Sequence, residues 1–248
     1  LEFRRVLFRS CMKNKNIVIT GTTDGIGYAL ASQLIKQKTN LICINRSSEK
    51  ADKFHEDLDT SNVKFLDLVT DLALLDEAKC IEMVNEIVKD FNEIHGIVLN
   101  ASILGSMKPI KDIDEGEWRK VFEINIHANF LLIKYLMPLL SSKSKAKIIL
   151  LSSGVADIGR AYWGAYSASK FALKGLAEIL ADECTQSNMQ IISFNPGATN
   201  TKMRTQAYPS EDPTSIASPD ETASYLVHIL SEDFESPKIH LSKSDLKI

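Results

Sequence analysis

No apolar run in this 248-residue sequence reaches the roughly 18 residues that a membrane-spanning helix needs; Lys134 and Pro138 interrupt the most apolar stretch, residues 124–140. The 29 basic residues form no block in the body of the chain, and against 32 acidic residues they leave a net charge of only -3. Without a large field of one sign, a nucleic-acid-binding face is not expected. No C-x-x-C spacing links Cys11, Cys43, Cys80 and Cys184, and three of the four fall in stretches that read as buried strand or helix. A reducing cytoplasm suits that usage. None of His55, His95, His127, His228 and His240 pairs with another His, Cys or acid at metal-ligand spacing, so no metal is expected. Neither repeats nor an interdomain linker interrupt the chain.

What is present is enough for one α/β domain: 27.6 kDa with 44% hydrophobic residues fills a sheet and two covering helix layers. Short β-branched runs at 17–20, 41–45, 63–66, 94–100, 147–151 and 189–195 alternate with helical periods at 26–38, 46–58, 74–91, 117–140, 164–184 and 220–230, and a weak strand follows near Ile239. Such alternation predicts a doubly wound, Rossmann-type parallel sheet. The domain is placed at residues 12–248. Residues 1–11 are set apart, because Glu2 to Ser10 reads like a translated sequencing adapter joined ahead of Met12. Residues 196–219, with four prolines after a strand's carboxyl end, are a candidate substrate lid.

Two constellations carry chemistry. Thr20-Gly21-Thr22-Thr23-Asp24-Gly25-Ile26-Gly27 joins the first strand to the first helix, where glycines allow a tight turn and let backbone amides approach a pyrophosphate. At the end of the second strand, where NAD-preferring folds place an acid, Asn45 is followed by Arg46. A guanidinium there can pair with a 2′-phosphate, so NADP is expected over NAD. Farther along, Ser153 precedes Tyr166 by thirteen positions and Lys170 follows it by four. The last two share one helix face. A free tyrosine has a pKa of about 10. A neighbouring ammonium is expected to lower it toward a useful acid–base range.

Taken in order, these residues resemble the single-domain short-chain dehydrogenases/reductases, with the match running from Lys15 to Thr201. Asp71-Leu72 is similar to the pair that flanks the adenine, and Asn100-Ala101 to part of an NNAG motif. Asn125, Ser153, Tyr166 and Lys170 match the catalytic tetrad, while Pro196-Gly197 with Thr201 match the segment covering the nicotinamide. The resemblance implies hydride transfer between NADP(H) and a small carbonyl or alcohol substrate. Tyr166 would be the acid–base and Ser153 would orient the substrate oxygen. Lys170 would also hold the ribose, Asn125 would support a proton-relaying water, and the assembly would be a dimer or tetramer. The stretches 159–166, 195–204 and 211–213 resemble a bacterial subgroup of undefined substrate, with Ile103, Leu104, Trp163, Met203 and Tyr208 where relatives shape the pocket.

Two departures stand out. Ser102 replaces the usual glycine of NNAG, which questions that loop's geometry, and residues 236–248 lack the glycine-rich end of many relatives. The alternative from another class is a catalytically silent NADP(H)-binding sensor or scaffold. Intact Ser153, Tyr166 and Lys170 argue against it. An enoyl-type reductase is disfavoured by the three-residue gap between Tyr166 and Lys170.

Overall fold

A computed structural model describes residues 12–142, 144–234 and 239–246. The expected non-native extension, residues 1–11, lies outside the described residues, as do 235–238 and 247–248 of the C-terminal stretch. Seven strands form one parallel sheet: β1 (Asn16–Thr20), β2 (Asn40–Asn45), β3 (Phe65–Val69), β4 (Gly96–Leu99), β5 (Ala146–Leu151), β6 (Met189–Asn195) and β7 (His240–Ser242). Their spatial order is β3-β2-β1-β4-β5-β6-β7, parallel at every pairing. The order reverses between β1 and β4, which opens a crevice at the carboxyl ends of those strands.

Helices cover both faces, so the central strands read as unbroken apolar runs. Alternate residues part to opposite sides. Ile17, Ile19, Leu41, Cys43, Ile149, Ile192 and Phe194 enter one core with Leu30, Leu34, Leu226 and Ile229. These helical residues come from α1 (Gly25–Lys36) and, numbered by its place in the chain, α8 (Pro219–Ser231). Val18, Ile42, Ile44, Ile97, Ile148, Leu150 and Ile191 enter the other core. Its cover comes from α3 (Glu77–Asp90), α5 (Ala128–Leu136) and α6 (Gly164–Glu183). Between β2 and β3 lies α2 (Ser48–Asp57). Lys147 in β5 is buried, and its ammonium donates to the carbonyls of Ile229 and Leu230 at 2.9 and 3.2 Å and to that of Glu232. It thereby satisfies carbonyls that the end of α8 leaves open.

The expected helix at 117–140 is interrupted. It runs as α4 (Glu115–Phe122), a π-helical turn at Glu123–His127 and then α5. The inserted turn rotates Asn125 inward, and such turns occur at functional sites more often than elsewhere. The helix expected from Leu74 starts at Glu77, capped by Asp76, whose side chain accepts from Lys79 N at 2.8 Å. The third strand lies at 65–69 rather than 63–66. The expected lid, 196–219, holds a short helix, α7 (Lys202–Ala207), and a 3₁₀ turn at Pro213–Ser215. Thr201 caps α7 by accepting from Arg204 N at 3.2 Å.

Gly27 sits in the first turn of α1, packed on the preceding loop. A Cβ there would stand 2.0 Å from the Gly21 carbonyl oxygen and 2.7 Å from Asn100 Nδ2. Gly27→Ala is expected to lower unfolding free energy by about 1–3 kcal/mol through overpacking. Denaturant unfolding with an unchanged midpoint would show that the turn yields freely.

Candidate active site

Every loop that follows β1 to β6 at the carboxyl edge contributes to one groove of about 430 Å³. From β1 come Gly21, Thr23, Asp24, Gly25 and Ile26; from β2 Arg46; from β3 Asp71 and Leu72; from β4 Asn100. From β5 and the start of α6 come Ser153, Tyr166 and Lys170, and from β6 Pro196, Gly197 and Thr201. The expected site residues therefore converge, with two exceptions. Gly27 and Asn125 do not line the groove; both act from behind it.

The glycine turn is built for close approach. Gly21 and Gly25 have φ of +73° and +54°, where side chains are disfavoured. Asp24 caps α1 by accepting from Gly25 N at 2.8 Å. Asn100 ties the turn to β4: Nδ2 donates to the Thr20 and Gly21 carbonyls at 2.9 and 3.1 Å. Ser102 does not have positive φ, so the departure from NNAG carries no left-handed strain.

Beside the turn, Asn45 is buried. Its Oδ1 accepts from Thr22 N at 2.8 Å and its Nδ2 donates to Asp67 at 2.8 Å. Burial pushes the Asp67 carboxyl above its ordinary range, against a lowering bond from Asn45. Thus Asn45 shapes the turn, and the cations beside it face the groove: Arg46 and, one helical turn on, Lys50, with Ser47 capping α2 between them. Lys50 and Ser47 escaped the sequence reading, although a lysine four positions after Arg46, just inside a serine-capped helix, was a usable signal.

The start of α6 is tied to the end of β5 and to the 3₁₀ turn (Gly154–Ala156) that follows it. Ser167 Oγ donates to the Val155 carbonyl at 2.7 Å. Lys170 Nζ donates to the Leu151 carbonyl at 2.7 Å, and its residue is 3% exposed. Ser153 caps the 3₁₀ turn that carries Val155. Asn125 holds the opposite side: Oδ1 accepts from Ile103 N at 2.9 Å, while Nδ2 donates to the Ile103 carbonyl and Ser169 Oγ at 3.0 Å each. Ser169 then donates to the Tyr166 carbonyl at 2.7 Å. Both amide protons of Asn125 are therefore committed, to Ile103 and Ser169.

Tyr166 and Lys170 are both buried. Burial pushes the phenol up to about 12, and the Ser153 side chain offsets only part of this. Lys170 Nζ stands 5.5 Å from the ring centroid, and burial pushes its own pKa down to about 8. A dry pocket penalises phenolate and ammonium alike.

The wall beyond Tyr166 is apolar and aromatic. Leu104 and Val155 pack with Tyr166, joined by Met107, Trp163, Met203 and Ala207. Of the residues expected to shape the pocket, Ile103, Leu104, Trp163 and Met203 line the groove, and Tyr208 stands behind Trp163 at 5.8 Å.

A glycine-rich turn at the switch point of a parallel sheet, beside a half-buried serine and a buried tyrosine and lysine, defines a dinucleotide-dependent oxidoreductase. Residues 15–212 match the family model of the short chain dehydrogenases. The Escherichia coli K12 oxidoreductase YciK is 31% identical over 90% of this chain and 88% of its own. The NADPH-dependent pterin aldehyde reductase of Arabidopsis thaliana is 28% identical over 80% and 81%. A Shigella flexneri short chain dehydrogenase solved with NADP superposes with a TM-score of 0.89, 30% identity, and coverage of 94% and 98%. The chain belongs to the short-chain dehydrogenase family and is an NAD(P)-dependent oxidoreductase. Among the described residues, no helix is long and apolar enough to cross a membrane.

A lysine pKa lowered by burial means that folding favours the neutral amine. The penalty for the charged form is whole below about 8 and fades as pH rises toward the ordinary 10.5. Between pH 7 and 10, wild type should therefore gain about 2 kcal/mol of unfolding free energy relative to Lys170→Met. Parallel pH profiles in urea titrations would contradict the burial.

Proposed function

We propose that this enzyme binds NADP(H) and reduces a carbonyl to an alcohol, with Tyr166 donating the proton. The observation carrying this reading is the phenol itself. It lines the groove beside Ser153, with Lys170 Nζ 5.5 Å from its ring centroid, and so stands where a proton can pass to a substrate oxygen.

Arg46 and Lys50, at the start of α2, suit a 2′-phosphate, and no carboxylate stands at position 45 to repel one. The NADP bound to the Shigella flexneri relative and the NADPH dependence of the plant aldehyde reductase support the same choice. The open amides at the N-terminus of α1 fit a pyrophosphate. The backbone of Pro196-Gly197 and the methyl-bearing Thr201 fit the covering of a nicotinamide, and Asp71-Leu72 the flanking of an adenine. When bound, the cofactor supplies the hydride that forms the new C–H bond. Tyr166 gives its phenolic proton to the substrate oxygen, and Ser153 hydrogen-bonds that oxygen. Lys170, charged below about pH 8, stabilises the phenolate left behind and holds the ribose hydroxyls. Asn125 keeps the tyrosine's helical turn in register through Ser169.

The buried free thiols of Cys43, Cys80 and Cys184 suit a reducing compartment, the cytoplasm. Exposed Phe130 on α5 with Phe171 and Ile179 on α6 support a homo-oligomer, dimer or tetramer.

The test is NADPH oxidation over a panel of aldehydes and ketones. Tyr166→Phe should reduce kcat by about 10²–10⁴-fold with NADPH affinity retained; undiminished turnover would remove the tyrosine from the mechanism. Tight NADPH binding without turnover of any carbonyl would favour a cofactor-sensing role. Separately, Arg46→Asp should raise the KM for NADPH by about tenfold or more and leave that for NADH nearly unchanged. Equal effects on the two cofactors would refute the phosphate contact.

A further inference from the structure

Helix α7 brings Arg204 to the wall of the groove beside Met203 and Ala207. Its guanidinium is clamped on two sides. Nε and Nη2 donate to the two carboxylate oxygens of Glu211 at 2.6 and 2.5 Å. The guanidinium carbon lies 3.8 Å from the centroid of the Tyr208 ring. Tyr208 is 5.8 Å from Trp163, and Trp163 is 5.8 Å from Tyr166. An unbroken chain of ring and ion contacts thus runs from the reacting hydroxyl to Glu211.

The pair is about a quarter exposed on each side, at 26% and 24%. The other ion pair of the lid, Lys202 with Asp24, is 83% and 49% exposed and far better screened. A groove-lining arginine without a partner would draw anions into the substrate end. Here both carboxylate oxygens occupy the guanidinium fork, and a second carboxylate approaching it would meet Glu211's charge in a partly dry wall.

We propose that Arg204 and Glu211 are specificity-determining residues. Together they present a charge-compensated, aromatic-backed wall that admits flat neutral carbonyl compounds, such as aryl aldehydes and ketones, and rejects their carboxylates. This rests on the carbonyl-reducing role of Tyr166. Glu211→Gln leaves Arg204 uncompensated and converts the wall into an anion acceptor. In the double variant Arg204→Leu with Glu211→Gln, the wall is neutral again.

Benzaldehyde and 4-carboxybenzaldehyde, reduced with NADPH by wild type and both variants, provide the test. Wild type should show a kcat/KM at least tenfold higher for benzaldehyde. Glu211→Gln should shift that ratio at least tenfold toward the carboxylate, and the double variant should return it to the wild-type side. An unchanged ratio in Glu211→Gln, or equal use of both aldehydes by wild type, overturns the proposal. The wild-type ratio decides alone if Glu211→Gln does not fold. If neither aldehyde is reduced, carbonyl reduction is in question separately. Binding of benzyl alcohol and 4-carboxybenzyl alcohol to the NADP complex, read by tryptophan fluorescence, then replaces turnover with the same expected ratios. Failure of both alcohols to bind overturns the wall's assignment.

Discussion

The ammonium of Lys170 lies almost wholly out of water, and the Leu151 carbonyl at the end of β5 is what it has in return. That bond crosses from the central sheet to α6, so the helix carrying Tyr166 is fixed to the strand that leads into Ser153. Ser167 makes a second tie one turn earlier. A buried amine is tolerated only where it is held. Its burial also sets the chemistry, since the same dry surroundings that lower the lysine raise the tyrosine. The shifts at Tyr166 and Lys170 thus both follow from how α6 packs on β5.

Around that tie, support comes from residues that never reach the groove. Asn125 is swung inward by the π-helical turn and spends its amide on Ile103 and Ser169. Asn45 performs the same service for the glycine turn through Thr22. Both are buried amides with several partners each, so a change of size or charge at either would displace a backbone segment rather than a single contact. The segment after β6 packs from the other side, with Thr201 against Gly25 and Lys202 on Asp24.

Much of the site was legible in sequence because it depends on local rules. The strand-turn-helix context of residues 20–27, the position of Arg46 after β2, and the one-turn offset of Tyr166 and Lys170 each follow from element periodicity. Lys50 was missed because its signal lies in its spacing from Arg46 and the Ser47 cap, while the residue alone reads as a solvated helix lysine. What the spacing of Gly27 did not show is how closely it packs α1 on the Gly21 carbonyl. The helix at 117–140 appeared continuous because a π-helical turn keeps its residues helical and leaves apolar spacing nearly intact.

By itself, then, the sequence determined the alternation of strand and helix, the glycine turn, and which side chains meet in the groove, because these depend on neighbours within a few positions. Only the tertiary structure decided how those side chains are poised. Whether Lys170 lowers Tyr166 or is itself lowered depends on the dielectric around both, and hence on what β5, α6 and the lid exclude. Whether Arg204 is a free cation depends on Glu211 and Tyr208 folding back across it. Electrostatics is set by burial and distance between elements, and neither is written in local spacing.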